Sequence, residues 1–441
     1  MVKVAKFGGS SLADAQQFRK VGAIVSADDA RRYIVPSAPG KRFCDDEKIT
    51  DMLYRCHEAR DDQDVFDKLF DAICDRYREI IADLGLDFSL EDQFETIRTA
   101  MKAQQTPDYA ASRGEFLSGQ VMASYLGFPF VDAAQVIRFK ENGKLDEAAT
   151  DDAMAQVLSG LARAVVPGFY GAKASGEIVT FSRGGSDISG ALVARGVHAD
   201  VYENWTDVCG FMMADPRVVP EAKTIDVVTY NELRELAYMG ATVLHDQSIY
   251  PVRQAGIPIH ILNTNEPEHA GTRIVSRLTE EELSSDVRQG VVTGIAGRKG
   301  FTIITLEKTM MHDELGFGRK VLEVLEAHGV SFEHIPSGID TLSVVVDDKY
   351  LANLGQIVLD LTSTCAPDSI EVNSDMAMIA TVGQGMIKTK GVAARLFTAL
   401  TKADVNIRMI DQGSSEMNII IGVEGKDFET ALRAIYAEFG Q

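Results

Sequence analysis

The hydrophobic pattern changes period at a glycine pair near the start of the chain. Residues 2–7 alternate apolar and polar positions and are rich in Val and Phe, which predicts a short strand. After Gly8-Gly9-Ser10-Ser11, the apolar residues Leu12, Phe18, Val21, Ile24 and Val25 recur at helical spacing, with Ser10 or Ser11 expected as the N-cap. Tyr33-Ile34-Val35 predicts the next strand, closed by Ser37-Ala38-Pro39-Gly40. Residues 47–111 read as mostly helical. Val65, Phe66, Leu69, Phe70, Ile73, Tyr77, Ile80, Ile81 and Leu84 share one face, and Gly85 is the expected C-cap. The Asp and Glu of the opposite face read as a solvated surface rather than a metal site.

From residue 112 helices and strands are expected to alternate. Val131-Asp132 and Val136-Ile137 are expected in short strands, 151–164 in a helix, and 164–169 in a buried strand running into a turn. Residues 178–181, 199–205 and 258–262 are further strands. This alternation argues for an α/β fold with a mostly parallel sheet, in a first domain running to about residue 280.

The last third is an internal repeat. Residues 301–346 superimpose without a gap on 376–421, at an offset of 75. Gly316 meets Gly391, Leu325 meets Leu400, Ile335 meets Ile410 and Gly338 meets Gly413. Each copy reads strand, helix, strand, turn, strand. Two copies are too few for a solenoid, so a pair of small βαββ modules is the expected form.

Composition narrows the function classes. The 441 residues carry 44 Lys and Arg against 65 Asp and Glu, a formal net charge of −21. That balance disfavours a nucleic-acid partner, since phosphate backbones call for a Lys/Arg surplus. No apolar run approaches the roughly 18 residues of a membrane helix, so no membrane partner is expected. Residues 1–7 are too short for a signal-peptide core. The five cysteines (Cys44, Cys56, Cys74, Cys209 and Cys365) form no Cys-x-x-Cys pair, as expected of reduced thiols in a cytoplasmic protein. The sequon Asn204-Trp205-Thr206 then reads as a chance match.

Two loops carry the chemistry. Strand, Gly8-Gly9-Ser10-Ser11, helix is the geometry of an anion site: glycines let the backbone approach, and N–H groups at a helix start point at negative charge. Lys6 adds a full positive charge. The loop is neither a P-loop nor a G-x-G-x-x-G turn. Arg183-Gly184-Gly185-Ser186-Asp187 repeats the arrangement after another strand, and Asp187 adds an acid able to orient a lysine or a Mg²⁺-bound phosphate. In open α/β sheets ligands bind where strand C-termini gather.

With Arg113-Gly114-Glu115, Trp205-Thr206-Asp207-Val208, Asp215-Pro216-Arg217, Met239-Gly240-Ala241-Thr242-Val243-Leu244-His245 and Asn263-Thr264-Asn265, these motifs follow the order and spacing of aspartate kinases. The tail, with Gln412-Gly413-Ser414-Ser415-Glu416, resembles that family's paired ACT domains. The resemblance covers essentially the whole chain. It implies an amino acid kinase fold over 1–285, divided at about 165 into an aspartate-binding and a nucleotide-binding lobe, then βαββ ACT modules over 290–365 and 370–441. The reaction implied is ATP-dependent phosphorylation of the aspartate side-chain carboxylate, the first step toward lysine, threonine and methionine. That carboxylate has a pKa of about 3.9 and is already ionised, so no general base is required. Catalysis reduces to positioning and charge neutralisation.

The resemblance assigns roles. Lys6 is the catalytic cation, held by Asp187, which also helps organise the Mg²⁺ that accompanies ATP; that ion sits mainly on phosphate and water rather than in a cage of side chains. Gly8, Gly9 and Ser10 would donate to the phosphates. Thr206, Asp207, Met212, Arg217, Thr242 and Val243 align with nucleotide contacts. Glu115 would pair with the substrate ammonium and Arg183 would grip a carboxylate. Thr50 and Gly184, Gly185 and Ser186 complete the substrate set. Trp205 reads as core and His245 as a structural hydrogen-bonder. One departure stands out: where the family has Gly-Ala-Lys-Val-Leu-His-Pro, Thr242 replaces the lysine and Asp246 the proline. Thr242 cannot supply the missing charge, which leaves Lys6 and Mg²⁺, another cation, or a weakened activity.

In this family ACT modules bind pathway end products. Met310, Met311, His312, Glu314 and Gly316, with Ser331, Phe332, Glu333, Ser337 and Asp340, would face the effector, lysine or threonine or both. Pairing through these modules implies a homodimer or a higher homo-oligomer. A kinase for another acidic amino acid, and an amino-acid sensor whose kinase domain has decayed, stand as alternatives. A fused homoserine dehydrogenase is not expected, because the chain ends directly after the second repeat.

Overall fold

Val4, Ala5 and Phe7 are fully buried, and they fix the strand they share, β1 (Lys3–Phe7), at the centre of a sheet. The computed structural model describes every residue except 104, 183, 242–245, 280, 281, 283–290, 388 and 441. Its contacts divide the chain into two compact units, one of residues 1–211, 226–230 and 243–277, the other of 212–225, 231–242 and 278–441.

In the first unit, β1 is followed by α1 (Ala15–Ser26), β2 (Arg31–Pro36), α2 (Ile49–Glu58), α3 (Gln63–Leu84), α4 (Glu91–Lys102) and α5 (Pro107–Leu126). Next come α6 (Ala133–Val136), β3 (Arg138–Phe139), α7 (Glu147–Leu158), β4 (Ala164–Val165), β5 (Tyr170–Lys173), β6 (Ile178–Thr180), α8 (Gly185–Gly196) and β7 (Val201–Thr206). β8 (Val227–Thr229), α9 (Tyr230–Tyr238), α10 (Asp246–Ala255), β9 (Ile259–Asn263) and β10 (Thr272–Val275) follow, but of α9 only Tyr230 belongs to this unit and residues 231–238 to the second. The main sheet has the order β4-β2-β1-β7-β9-β10-β8, parallel except for β10 against β9, and β3-β5-β6 form a smaller sheet. Ala5, Phe7, Ile34 and Trp205 turn toward the cluster built by α1 to α5, whereas α8 lies against β1, β2 and β7. Trp205 is core as expected, stacked on Phe7 at 5.9 Å.

Several local expectations need correction. The N-cap of α1 is Asp14, which accepts from Gln17 N; Ser10 and Ser11 lie in an earlier 3-10 turn, Gly9–Leu12. Val65, in the first turn of α3, is 45% exposed instead of lying with the buried face. The alternation expected from 112 begins later, because α5 runs on to Leu126. Ala110, Ala111, Ser112, Gly114, Ser118 and Gly119 are all buried, so small residues bury this helix on nearly every side and blur its period. Residues 131–132 form no strand: Asp132 accepts from Ala134 N and caps α6. α7 ends at Leu158, short of the expected 164.

The second unit holds β11 (Gly294–Glu307), α11 (Phe317–Ala327), β12 (Phe332–His334), β13 (Thr341–Asp347), α12 (Leu354–Cys365), β14 (Ser369–Val382), α13 (Val392–Lys402), β15 (Met409–Asp411), β16 (Asn418–Glu424) and α14 (Phe428–Phe439). The 75-residue offset is visible in three dimensions, since the antiparallel order β12-β13-β11-β14-β16-β15 is symmetric about its centre. The two long central strands are shared. Residues 301–307 of β11 pair with β13, and 303–307 also with 369–373 of β14, while residues 294–299 pair with 377–382, whose other neighbour is β16. The register shifts between Lys299 and Ile303, where the first module gives way to the second. Each module therefore takes its fourth strand from a segment contiguous with the other.

Candidate active site

Lys6 and Asn204 are register partners on the parallel strands β1 and β7, near their C-terminal ends. Alternation turns both side chains away from the cluster that buries Ala5, Phe7 and Trp205. They meet α8, where the Asp187 carboxylate approaches Lys6 Nζ at 2.6 Å. Lys6 Nζ also donates to Asn204 Oδ1 at 3.3 Å, and Asn204 Nδ2 donates to Asp187 Oδ1 at 3.0 Å. The three side chains form a closed triangle with one ammonium, one carboxylate and one amide. The Asp187 contacts fall on Oδ1. The Lys6 side chain is 9% exposed and that of Asp187 20%, so their attraction acts in a partly desolvated place.

The glycine loop borders this triangle. A Cβ on Gly8 would stand 3.6 Å from Lys6 Nζ. Gly8 N–H is already engaged by Trp205 O at 3.0 Å, so Gly9 and Ser10, in the first turn of the 3-10 helix, carry the unpartnered donors expected at a helix start. Gly9 must be glycine on packing grounds: a Cβ there would lie 2.9 Å from Ala38 O. Gly40 N–H donates to Gly9 O at 2.8 Å, and a Cβ on Gly40 would meet Gly9 C at 2.6 Å. The two loops are thus interlocked backbone to backbone. Ser11 Oγ and Thr264 Oγ1 share a hydrogen bond of 2.8 Å.

Ala38 carries the contact to α5. Burial pushes the Glu115 carboxyl up to about 8, against a backbone hydrogen bond from Ala38 and the charge of Arg113. Glu115 is 5% exposed, and its Oε2 has no hydrogen-bond partner. A buried acid with an open acceptor is a receptor for a cation such as an ammonium group. Arg113, two residues earlier, packs against the rings of Tyr109 and Phe116, each at 4.6 Å, and Tyr170 at 5.2 Å, and donates to Ser112 Oγ. Thr50 stands in the first turn of α2, whose start is tied down by Ile49 N–H to Pro39 O at 3.2 Å.

Gly184 caps α8, Gly185 and Ser186 open it, and Asp187 follows in the same turn. Thr206 Oγ1 accepts from Val208 N at 3.0 Å, and Asp207 is exposed beside it. Met212 and Arg217 belong to the second unit, where Met212 bridges to Thr224 and Arg217 pairs with Asp215 at 2.7 Å. Arg183, Thr242, Val243 and His245 lie outside the described residues.

Among the residues expected at the effector site, Met310, in the left-handed region at φ 60°, donates its N–H to Asp340 Oδ1 at 3.0 Å. Met311 and His312 form a 3-10 turn, and Gly316 caps α11. Glu314 holds Lys308 and Lys320 at 2.5 and 2.6 Å. Ser331 and Phe332 are exposed, and Ser337 bridges to Leu342. Glu333 is turned elsewhere, to Arg298 at 3.4 Å and to the Tyr238 hydroxyl. Sequence reasoning missed Asn204, whose role shows only in its register opposite Lys6, and Glu203, on the other face of β7. Glu203 is 1% exposed, and holds Arg31 at 2.7 Å, Lys3 at 3.0 Å and Trp205 Nε1 at 2.9 Å.

A family model for the amino acid kinase family matches residues 1–263, and one for an ACT domain matches 379–439. Aspartokinase 3 of Bacillus subtilis (strain 168) is 37% identical, over 99% of this chain and 98% of its own. Lysine-sensitive aspartokinase 3 of Escherichia coli is 28% identical with the same coverage. Among solved structures, the aspartate kinase of Clostridium acetobutylicum superposes with a TM-score of 0.89 at 49% identity, covering 99% of each chain. E. coli aspartokinase III in complex with aspartate and ADP gives 0.71 at 27% identity, and the same enzyme with lysine and aspartate gives 0.74 at 28%, both over the full length of both chains. Strand order, glycine loops and end-to-end similarity agree: the chain belongs to the amino acid kinase family, as an aspartokinase with ACT-type regulatory modules.

Proposed function

We propose that this aspartokinase works through Lys6, with Asp187 and Asn204 fixing where its ammonium stands. The reaction passes the terminal phosphoryl group of ATP to the side-chain carboxylate of aspartate, giving 4-phospho-L-aspartate and ADP. Both partners are anionic, so the obstacle is mutual repulsion and the charge spread over the equatorial oxygens in transfer. Lys6 answers that charge, with N–H groups of Gly9 and Ser10 beside it. Glu115 takes the substrate ammonium; binding a cation there favours its ionised form. Thr50, Arg183, Gly184, Gly185 and Ser186 complete the substrate side, and Thr206, Asp207, Met212, Arg217, Thr242 and Val243 the nucleotide side. The observation that carries this reading is the Lys6–Asp187–Asn204 triangle beside the glycine loop.

Mg²⁺ fits this donor set. Both contacts of Asp187 fall on Oδ1, which leaves Oδ2, a hard oxygen, for the ion or its water. The ion would neutralise phosphate charge.

The catalytic domain is assigned to 1–285 and the ACT modules to 290–365 and 370–441, with the strand exchange between the modules noted above. The effector is an end-product amino acid, lysine or threonine, met by Met310, Met311, His312, Glu314, Gly316, Ser331, Phe332, Ser337 and Asp340; the relative crystallised with lysine supports lysine first. A homodimer or higher oligomer and a cytoplasmic location complete the proposal. No helix among the described residues is long and apolar enough to cross a membrane. The test is ADP release from Mg-ATP with aspartate, repeated with lysine, threonine and both. Aspartate-dependent turnover suppressed by one of them is expected; absence of turnover in a folded protein would overturn the reading.

A further inference from the structure

Position 76 lies on the apolar stripe of α3, three residues after Ile73 and four before Ile80, where an arginine is out of pattern. The Arg76 side chain is 4% exposed. Nη2 donates to Ala13 O at 3.1 Å and to Gly40 O in a short bond, while Nη1 donates to Glu47 O at 2.9 Å and lies 3.4 Å from Asp46 Oδ2. Burying a guanidinium is strongly unfavourable unless acceptors surround it. Here they come from three separate points of the chain.

Each of those points leads to the site. Ala13 follows the 3-10 turn that contains Gly9 and Ser10. Gly40 is interlocked with Gly9 and lies two residues after Ala38, the residue that donates to Glu115. Glu47 stands three residues before Thr50. We propose that Arg76 is a positioning residue for phosphoryl transfer: one guanidinium sets the spacing between the loop beside Lys6 and the segment from Ala38 to Thr50. It touches neither substrate and acts through the backbone of Ala13, Gly40 and Glu47. A planar fork with five donors can serve several fixed acceptors at once, which a lysine ammonium on a flexible stem does not do equivalently. The inference rests on the proposed placement of the two substrates on these loops.

The test uses the full chain, assayed by ADP release, with wild type measured first. No aspartate-dependent turnover in wild type would remove the underlying reading; a fully active wild type isolates the Arg76 question. Arg76→Lys is expected to fold, with native circular dichroism and a cooperative melt. Its kcat/KM for aspartate is expected to fall at least tenfold and its KM for Mg-ATP to rise several-fold, because both loops lose their spacing together. Glu115→Gln, in contrast, should move the aspartate constants alone. Arg76→Ala should lose more, and regain part of its turnover in millimolar guanidinium ion. A folded Arg76→Lys with both KM values and kcat within twofold of wild type would overturn the proposal. So would failure of Arg76→Lys to fold, which would assign the guanidinium to the fold, and so would a folded Arg76→Ala that guanidinium does not rescue.

Discussion

Asn204 stands opposite Lys6 on the neighbouring parallel strand and accepts its Nζ at 3.3 Å, while passing its own amide N–H to Asp187. The ammonium is thus aimed by two side chains on two different elements. Lys6→Ala removes the one full charge of this triangle that can face a phosphoryl group. Turnover is expected to fall by about 10²–10³ or more, the range for losing one preorganised electrostatic contact, with the fold retained by circular dichroism. Asn204→Ala leaves the charge but frees its direction, and should lower kcat by about tenfold with little change in either KM.

Glu115 links activity to pH. Burial raises its carboxyl from 4.5 to about 8. Between those values the folded, ligand-free protein holds a proton that the unfolded chain has released. Raising the pH through that window therefore lowers stability, by about 1.4 kcal/mol per unit from this group, and the loss levels off above the folded value. Melting temperatures of wild type should fall from pH 5 to pH 8 more steeply than those of Glu115→Gln. Aspartate affinity should move the other way, tightening as the carboxylate ionises, and Glu115→Gln should flatten that profile and raise the aspartate KM while sparing that of ATP.

Glu203 offers a control on the opposite face of the same strand. Burial disfavours its charge, but Arg31 and Lys3 outweigh that and hold its carboxyl below the usual range. Glu203→Ala would leave Arg31 and the Trp205 N–H facing a gap, while Lys3 keeps Asp28 at 2.9 Å. A loss of about 3–5 kcal/mol, the range for breaking a buried pair, is expected in denaturant titrations. A variant as stable as wild type would show that water or rearrangement replaces the carboxylate.

Between residues 231 and 238, α9 presents Glu232, Glu235 and Tyr238, spaced by three, to the regulatory modules. Glu232 accepts from Thr293 Oγ1 and Gln384 N, both at 2.7 Å, Glu235 accepts from Asn418 Nδ2 at 2.7 Å, and Tyr238 donates to Glu333. Effector binding alters turnover only if it biases a structure the kinase also depends on. Glu235→Ala should raise the effector concentration for half-inhibition several-fold while kcat without effector stays within twofold. Unchanged inhibition would mean that the signal travels by another route.

How much of this was readable in advance follows the physics of each part. α3 announced itself because its apolar stripe faces a core and its polar face faces water. α5 did not, because small residues buried on all sides carry no period. The duplication was plain in the 75-residue offset, yet the sharing of β11 and β14 was not, since register is decided by partners distant in sequence. At the site, Lys6, Glu115 and Asp187 stood out as charged groups beside glycines in a family pattern. Asn204 sat inside a strand that looked like core, and its meaning depends on the strand placed next to it. Arg76 left a trace, a charge on an apolar stripe, that only its three carbonyl partners explain.

The shared strands also bear on inheritance. A duplicated gene segment ordinarily leaves two interchangeable copies, one of which can be discarded. Here a cut between Cys365 and Ser369 would strip the first module of residues 369–373 and the second of residues 294–299, leaving each with a raw edge. The pair can therefore diverge in its helices and turns, but losing either copy would break the other, so the regulatory third of the chain behaves as a single indivisible part.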